Sequence, residues 1–108
     1  MKLTSEKPHM KIEDADLQNY QKKFKALADE KRLHILSILC SEGASFVGDL
    51  TERVNLPQSK LSYHLKILLD ADLILKEQKG VWNYYEINND VLDNLFSEEL
   101  CRKFRSAE

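Results

Sequence analysis

At 108 residues the chain has the length of one small domain, and a domain of this size buries too little surface to be generously stable alone, so pairing with a second copy would help it. Its 43% hydrophobic and 31% charged residues exclude a disordered chain, and no apolar run approaches the ~20 residues that span a bilayer. With 16 Lys and Arg against 18 Asp and Glu the formal net charge is -2, which excludes a globally basic nucleic-acid binder and leaves only a local surface for that role.

Met1 to Lys11 is polar and interrupted by Pro8 and His9, so residues 1-11 are expected to form a flexible arm and residues 12-108 a single domain. Met1 to Asp14 carries no apolar core of a secretory leader, which points to the cytoplasm. A helical period starts at Ile12, with Leu17, Tyr20, Phe24, Leu27 and Ala28 on one stripe and Lys22, Lys23 and Lys25 off it. Asp29 is the expected N-cap of a second helix, in which Leu33, Ile35, Leu36, Ile38 and Leu39 are apolar on nearly all sides and Gly43 marks the end. Phe46 to Val54 predicts a short third helix with Leu50 and Val54 inward, closed by the turn Asn55-Leu56-Pro57. Proline is tolerated in a first helical turn, so a fourth helix can run from Pro57 to about Ala71. Leu61, Leu65 and Leu68 face inward there, and Ser59, Lys60, Ser62, Tyr63 and Lys66 occupy the opposite face. A short helix, a tight turn and a helix with a polar, hydroxyl-rich outer face form a helix-turn-helix pattern.

After Asp72 the period falls to about 2, which predicts a β-hairpin of Leu73 to Gln78 and Val81 to Ile87 around Lys79-Gly80. A last helix is expected from Asn88 or Asn89, with Val91, Leu92, Leu95, Leu100 and Phe104 on its apolar face. The fold expected is therefore mainly α with a small β-hairpin, a winged helix-turn-helix.

Four stretches sharpen this to a family. Phe24 to Asp29 leads into Arg32-Leu33 and Ile35-Leu36; then come Val47-Gly48-Asp49-Leu50, Leu56 through Lys66 with its Ser-x-His-Leu-Lys run, and Gly80 through Tyr84-Tyr85. In this order and register the chain resembles the ArsR/SmtB repressors. The resemblance implies a homodimer joined through the first and last helices, with its two reading helices in successive major grooves of double-stranded operator DNA. The residues agree with it, because the first and last helices each carry an apolar face that a twofold interface would bury.

On that reading Gln58 and Ser59 hold a phosphate at the start of the reading helix, where free N-H groups and the helix dipole favour an anion. Lys60, Ser62, Tyr63 and Lys66 reach base edges or phosphates. His64 fits the family's histidine position, and both a DNA contact and a packed, hydrogen-bonded role are open. Lys76, Lys79 and Asn83 meet the flanking backbone or minor groove, with Gly80 allowing the tight tip. Trp82 is better placed for packing than for DNA. Between Pro57 and Tyr84 four lysines face Asp70, Asp72 and Glu77, so the surface is only weakly positive and binding should fall steeply with salt.

What releases the DNA is a separate question. One site in relatives uses a Cys-x-Cys pair before Asp-Leu in the third helix; Phe46 and Gly48 stand there and offer no thiolate. A second uses Asp and His along the last helix, which here has Asp90, Asp93, Glu98 and Glu99 but no His. No metal site and no cofactor are therefore expected. Thiol-sensing relatives carry one Cys in the second helix and one in the last, and Cys40 and Cys101 lie in those elements, each about one turn from the usual position. Antiparallel packing of the two helices would let the thiols meet and parallel packing would separate them. Cys40 and Cys101 are thus a candidate redox switch, against the alternative of two ordinary buried cysteines. No phosphate loop and no nucleophile-base pair point to an enzyme. The rival readings are a protein-interaction winged helix without DNA contact and a repressor that needs no ligand.

Overall fold

The computed structural model describes residues 12-106; the arm expected at residues 1-11 lies outside the described residues. Helix α1 spans Asp14–Leu27, with Asp14 and Asp16 in its first turn and Lys25 in its last, a distribution that suits the helix dipole. Helix α2, Glu30–Glu42, starts as expected at Asp29, whose Oδ2 accepts from the Arg32 N-H at 3.1 Å. It stops at Gly43, where φ is +82°.

The chain then departs from the expected pattern. Ser45–Phe46 forms a short strand, β1, and helix α3 is confined to Val47–Val54. Phe46 had been expected inside the helix, but two residues are too few for a period of 2 to be recognised, and only pairing with a distant strand defines them. Asn55 adopts the left-handed conformation (φ 56°) and makes the tight turn, and helix α4 runs Gln58–Asp70. The Lys31 ammonium donates to the Val54 carbonyl at 2.9 Å, which ties α2 to the C-terminal end of α3.

Strands β2, Ile74–Lys79, and β3, Trp82–Ile87, pair antiparallel with Lys79 opposite Trp82. The turn is therefore Gly80-Val81, one residue later than Lys79-Gly80. Gly80, at φ +64°, takes the first turn position, where a two-residue hairpin needs positive φ. Strand β1 joins the other edge of β3, Ser45 opposite Tyr85 and Phe46 opposite Tyr84, giving the sheet order β1-β3-β2.

The single last helix of the sequence reading is two helices, α5 at Asn89–Leu95 and α6 at Glu98–Arg105. Phe96 is extended between them, and the Ser97 hydroxyl caps α6 by accepting from the Leu100 N-H at 3.1 Å. Ser97 followed by Glu98 and Glu99 is a start signal that the apolar stripe had masked. The Asn88 side chain caps nothing; its Nδ2 donates to the Asp72 carbonyl at 2.9 Å.

The core is built from Ile35, Leu36 and Leu39 of α2, Leu50 and Val54 of α3, Leu61, Leu65 and Leu68 of α4, and Leu73, Ile74 and Leu92, each at most 2% exposed. The leucines predicted inward on α3 and α4 are all in it, so the outer face of α4 is fixed by the burial of its inner face. Among the described residues no helix is long and apolar enough to cross a membrane.

Candidate nucleic-acid interface

Helix α4 and the β2-β3 wing border one hollow, to which both contribute polar side chains. Gln58, Ser59 and Lys60 are exposed in the first turn of α4, where Pro57 supplies no side-chain cap. The amide groups of that turn are the donors a helix leaves without intrahelical partners, so an anion can be held there. Ser62, Tyr63 and Lys66 follow on the same side, all exposed, and Tyr63 is 63% exposed.

Across from this helix face stand Lys76 of β2 and Asn83 of β3. Ser62, Lys66, Lys76 and Asn83 line one hollow of about 410 Å³ between α4 and the wing. Residues that are 14 to 21 positions apart along the chain from Ser62 are brought to one surface because β2 leaves α4 through a tight turn at Asp72 (φ 60°). Lys79 and Gly80 lie farther out, at the end of the hairpin.

The charges here are partly balanced. Lys66 Nζ lies 3.2 Å from Asp70 Oδ2, one turn on, and Lys79 Nζ lies 4.0 Å from Glu77 Oε1 and 5.6 Å from the centre of the Tyr84 ring. Such exposed pairs are weak and exchange readily for a phosphate. Lys60 has no ion-pair partner among the described residues and offers the freest positive charge on α4.

His64 differs from its neighbours. Its side chain is only 13% exposed, and its Nδ1 lies 3.0 Å from an Arg32 guanidinium nitrogen and 3.9 Å from Asp29 Oδ2. Arginine can only donate, so Nδ1 accepts and the imidazole is neutral with its proton on Nε2. Burial lowers its pKa; the Asp29 carboxylate opposes this, and Arg32, Lys60 and Lys31 reinforce it. The same Arg32 donates from Nε to the Ala26 carbonyl at 2.7 Å and from a terminal nitrogen to the Lys25 carbonyl at 3.3 Å. His64 therefore ties α4 to the α1-α2 corner. Sequence reasoning noted Arg32 only as part of a family stretch; its side chain reaches His64 across 32 residues, and no local pattern reveals that.

Cys40 is half-buried and Cys101 buried, and both are free thiols on helices α2 and α6, which pack together. Burial raises the Cys40 pKa, Arg105 opposes the rise, and Cys101 and Asp93 add to it. Cys101 Sγ is 3.8 Å from Asp93 Oδ1, which in turn pairs with Arg105 at 3.2 Å. Trp82 packs edge-on against Phe46, with ring centres 4.9 Å apart, yet stays 52% exposed.

Residues 29-76 match the model of the family described as bacterial regulatory protein, arsR family. The chain is 60% identical over 89 residues to the arsenical resistance operon repressor of Bacillus subtilis, covering 82% of this chain and 85% of that protein. Among solved structures it is similar to a homodimeric winged helix-turn-helix DNA-binding domain from Mycobacterium bovis, at 27% identity and TM-score 0.66 over 83% of this chain and 75% of that one. It is likewise similar to the transcriptional repressor PagR of Bacillus anthracis, at 28% identity and TM-score 0.67 over 77% and 94%.

Proposed function

The chain belongs to the arsR family of bacterial regulatory proteins, and we propose that it is a dimeric repressor that binds double-stranded operator DNA through α4 and the wing. The observation that carries this reading is the shared polar face of Ser62, Lys66, Lys76 and Asn83, continued by the open Tyr63 and Lys60 on α4. In it Gln58 and Ser59 hold a phosphate at the start of α4, Lys60, Ser62 and Tyr63 read bases, and Lys66, Lys76, Lys79, Gly80 and Asn83 follow the backbone. His64 acts through Arg32 to hold α4 in place. The protein works in the cytoplasm and catalyses no reaction.

Dimerisation is supported by α1, where Leu17, Tyr20 and Phe24 are 45-56% exposed along one stripe, next to Val91 and Leu95 of α5 around the same hollow as Tyr20. A twofold interface buries such a face. Both readings meet one test, a gel shift on the DNA upstream of the protein's own gene. Lys60→Ala with Lys79→Ala should abolish the shift while the sedimentation of the dimer is unchanged. Unaltered affinity for DNA would remove the interface assignment and leave a protein-interaction module as the better reading.

A second observation bears on release. The Bacillus subtilis relative is named for arsenical resistance, and a soft acceptor of that kind is held by thiolates. This chain has two cysteines, free thiols on α2 and α6, two helices that pack together. We infer that this pair is the switch. With hydrogen peroxide as oxidant, two thiols give one disulfide and two waters. Repeating the gel shift with peroxide and with arsenite should release DNA from the parent and leave Cys40→Ser bound under both. Release that persists in Cys40→Ser, or no release at all, would favour a repressor that needs no ligand.

A further inference from the structure

Away from the α4 and wing face, a second cleft of about 440 Å³ opens where the end of α2, strand β1, the start of α3 and strand β3 meet. Its volume falls in the range of small-molecule sites. Phe46, Trp82 and Tyr84 wall it. Their grouping follows from the strand register: Phe46 is opposite Tyr84 across the β1-β3 ladder, and Trp82, two residues back along β3, lies on the same face. The Phe46 ring is 4.9 Å from Trp82 at 77° and 5.9 Å from Tyr84 at 51°. Gly48 makes this arrangement possible, because a Cβ there would meet the Phe46 ring at 2.5 Å.

Three charged groups complete the cleft. Arg53 is paired with Glu42, and Asp49, in the first turn of α3, has no ion-pair partner among the described residues. Within the lining, two carboxylates against one guanidinium leave one negative charge beside the rings of Phe46, Trp82 and Tyr84, and the Lys79 ammonium, paired with Glu77, already stands 5.6 Å from the centre of the Tyr84 ring, as a cation drawn to this wall would. A cation over an aromatic face is attracted by the ring quadrupole, and a carboxylate adds to that attraction; an anion is repelled by both. Among the described residues no three His, Cys, Asp or Glu side chains come together to hold a metal ion.

We propose that this cleft binds a small organic cation with an apolar body, of the alkylammonium or benzylammonium class. The cleft adjoins the wing at Lys79, but none of its lining residues is among those assigned to DNA, so binding there is tested independently of that assignment. Trp82 is the single tryptophan of the chain and reports on the cleft directly.

The test is a titration of the full-length protein with benzyltrimethylammonium, followed by Trp82 emission, with benzenesulfonate and benzyl alcohol as anionic and neutral counterparts. The expected result is a saturable change with benzyltrimethylammonium and none with benzenesulfonate. Asp49→Asn should raise the dissociation constant about fivefold, as expected for a partly exposed ion pair, and Phe46→Ala should raise it further. Should Phe46→Ala fail to fold, the exposed Asp49→Asn still decides. Linear quenching without saturation, an equal response to benzenesulfonate, or an Asp49→Asn protein that titrates like the parent would overturn the proposal.

Discussion

At the scale of single residues, Arg32 and His64 show how one helix is held for its task. Arg32 spends its guanidinium on the Lys25 and Ala26 carbonyls and on His64 Nδ1, so the α1-α2 corner and α4 share one hydrogen-bond network. Protonating His64 at Nδ1 would remove the acceptor and set an imidazolium against a guanidinium, with the Asp29 carboxylate at 3.9 Å as partial compensation. Because burial lowers the His64 pKa in the folded protein, the unfolded chain binds the proton more readily. Stability is therefore full above the ordinary value of 6.5 and is lost as pH falls below it toward the depressed folded value. Asp29, whose pKa is lowered chiefly by the Arg32 N-H bond, adds a further loss only as pH falls below 3.8. Urea denaturation at pH 7.5 and pH 5.5 should show lower stability at the acidic value, and His64→Gln, which keeps an acceptor that cannot titrate in this range, should flatten that difference. A parent protein equally stable at both pH values would sink this account.

Among the elements, α6 owes its start to a single hydroxyl. The chain is extended at Phe96, and Ser97 then caps the first turn while Glu98 and Glu99 face its positive end and Arg102, Lys103 and Arg105 its negative end. Phe104 returns the helix to α5 through an edge-on contact with Phe96 at 5.1 Å. Ser97→Ala should cost about 1 kcal/mol of stability, measured by chemical denaturation, and should speed amide exchange in α6 more than in α4. Uniform exchange rates across both helices would mean that the cap does not govern α6. The wing depends on a comparable local feature, since Gly80 alone allows a two-residue turn to keep Lys79 opposite Trp82.

For the whole molecule, the decisive property is that the described residues leave two faces uncovered. One, α4 with the wing, is polar and meets DNA in the proposed function; the other, along α1, is apolar and meets a second copy. Two reading helices double the number of phosphate contacts, so a monomer should bind far more weakly and with a shallower salt dependence. Phe24→Glu, which places a charge on a side chain that is 56% exposed in the single chain, is expected to give a folded monomer by sedimentation and an operator affinity reduced at least tenfold. A Phe24→Glu protein that stays dimeric would move the interface away from α1.

The amino-acid sequence by itself determined the helices whose apolar periods are long, the cap at Asp29, the leucines that turn α4 inward and, from them, which side of α4 faces out. These are local consequences of a 3.6-residue repeat and of capping chemistry, so they are legible without a fold. The family was legible for the same reason, since its marks lie in contiguous runs such as Ser62-Tyr63-His64-Leu65-Lys66. Only the tertiary structure decided that Phe46 belongs to a strand, that the last apolar stripe is broken at Phe96-Ser97, and that His64 is held by Arg32. It also decided that Phe46, Trp82 and Tyr84 share one cleft and that Cys40 and Cys101 lie on two helices that pack together. Each of these depends on which residues meet across a distance in the chain, and packing, not local periodicity, sets that.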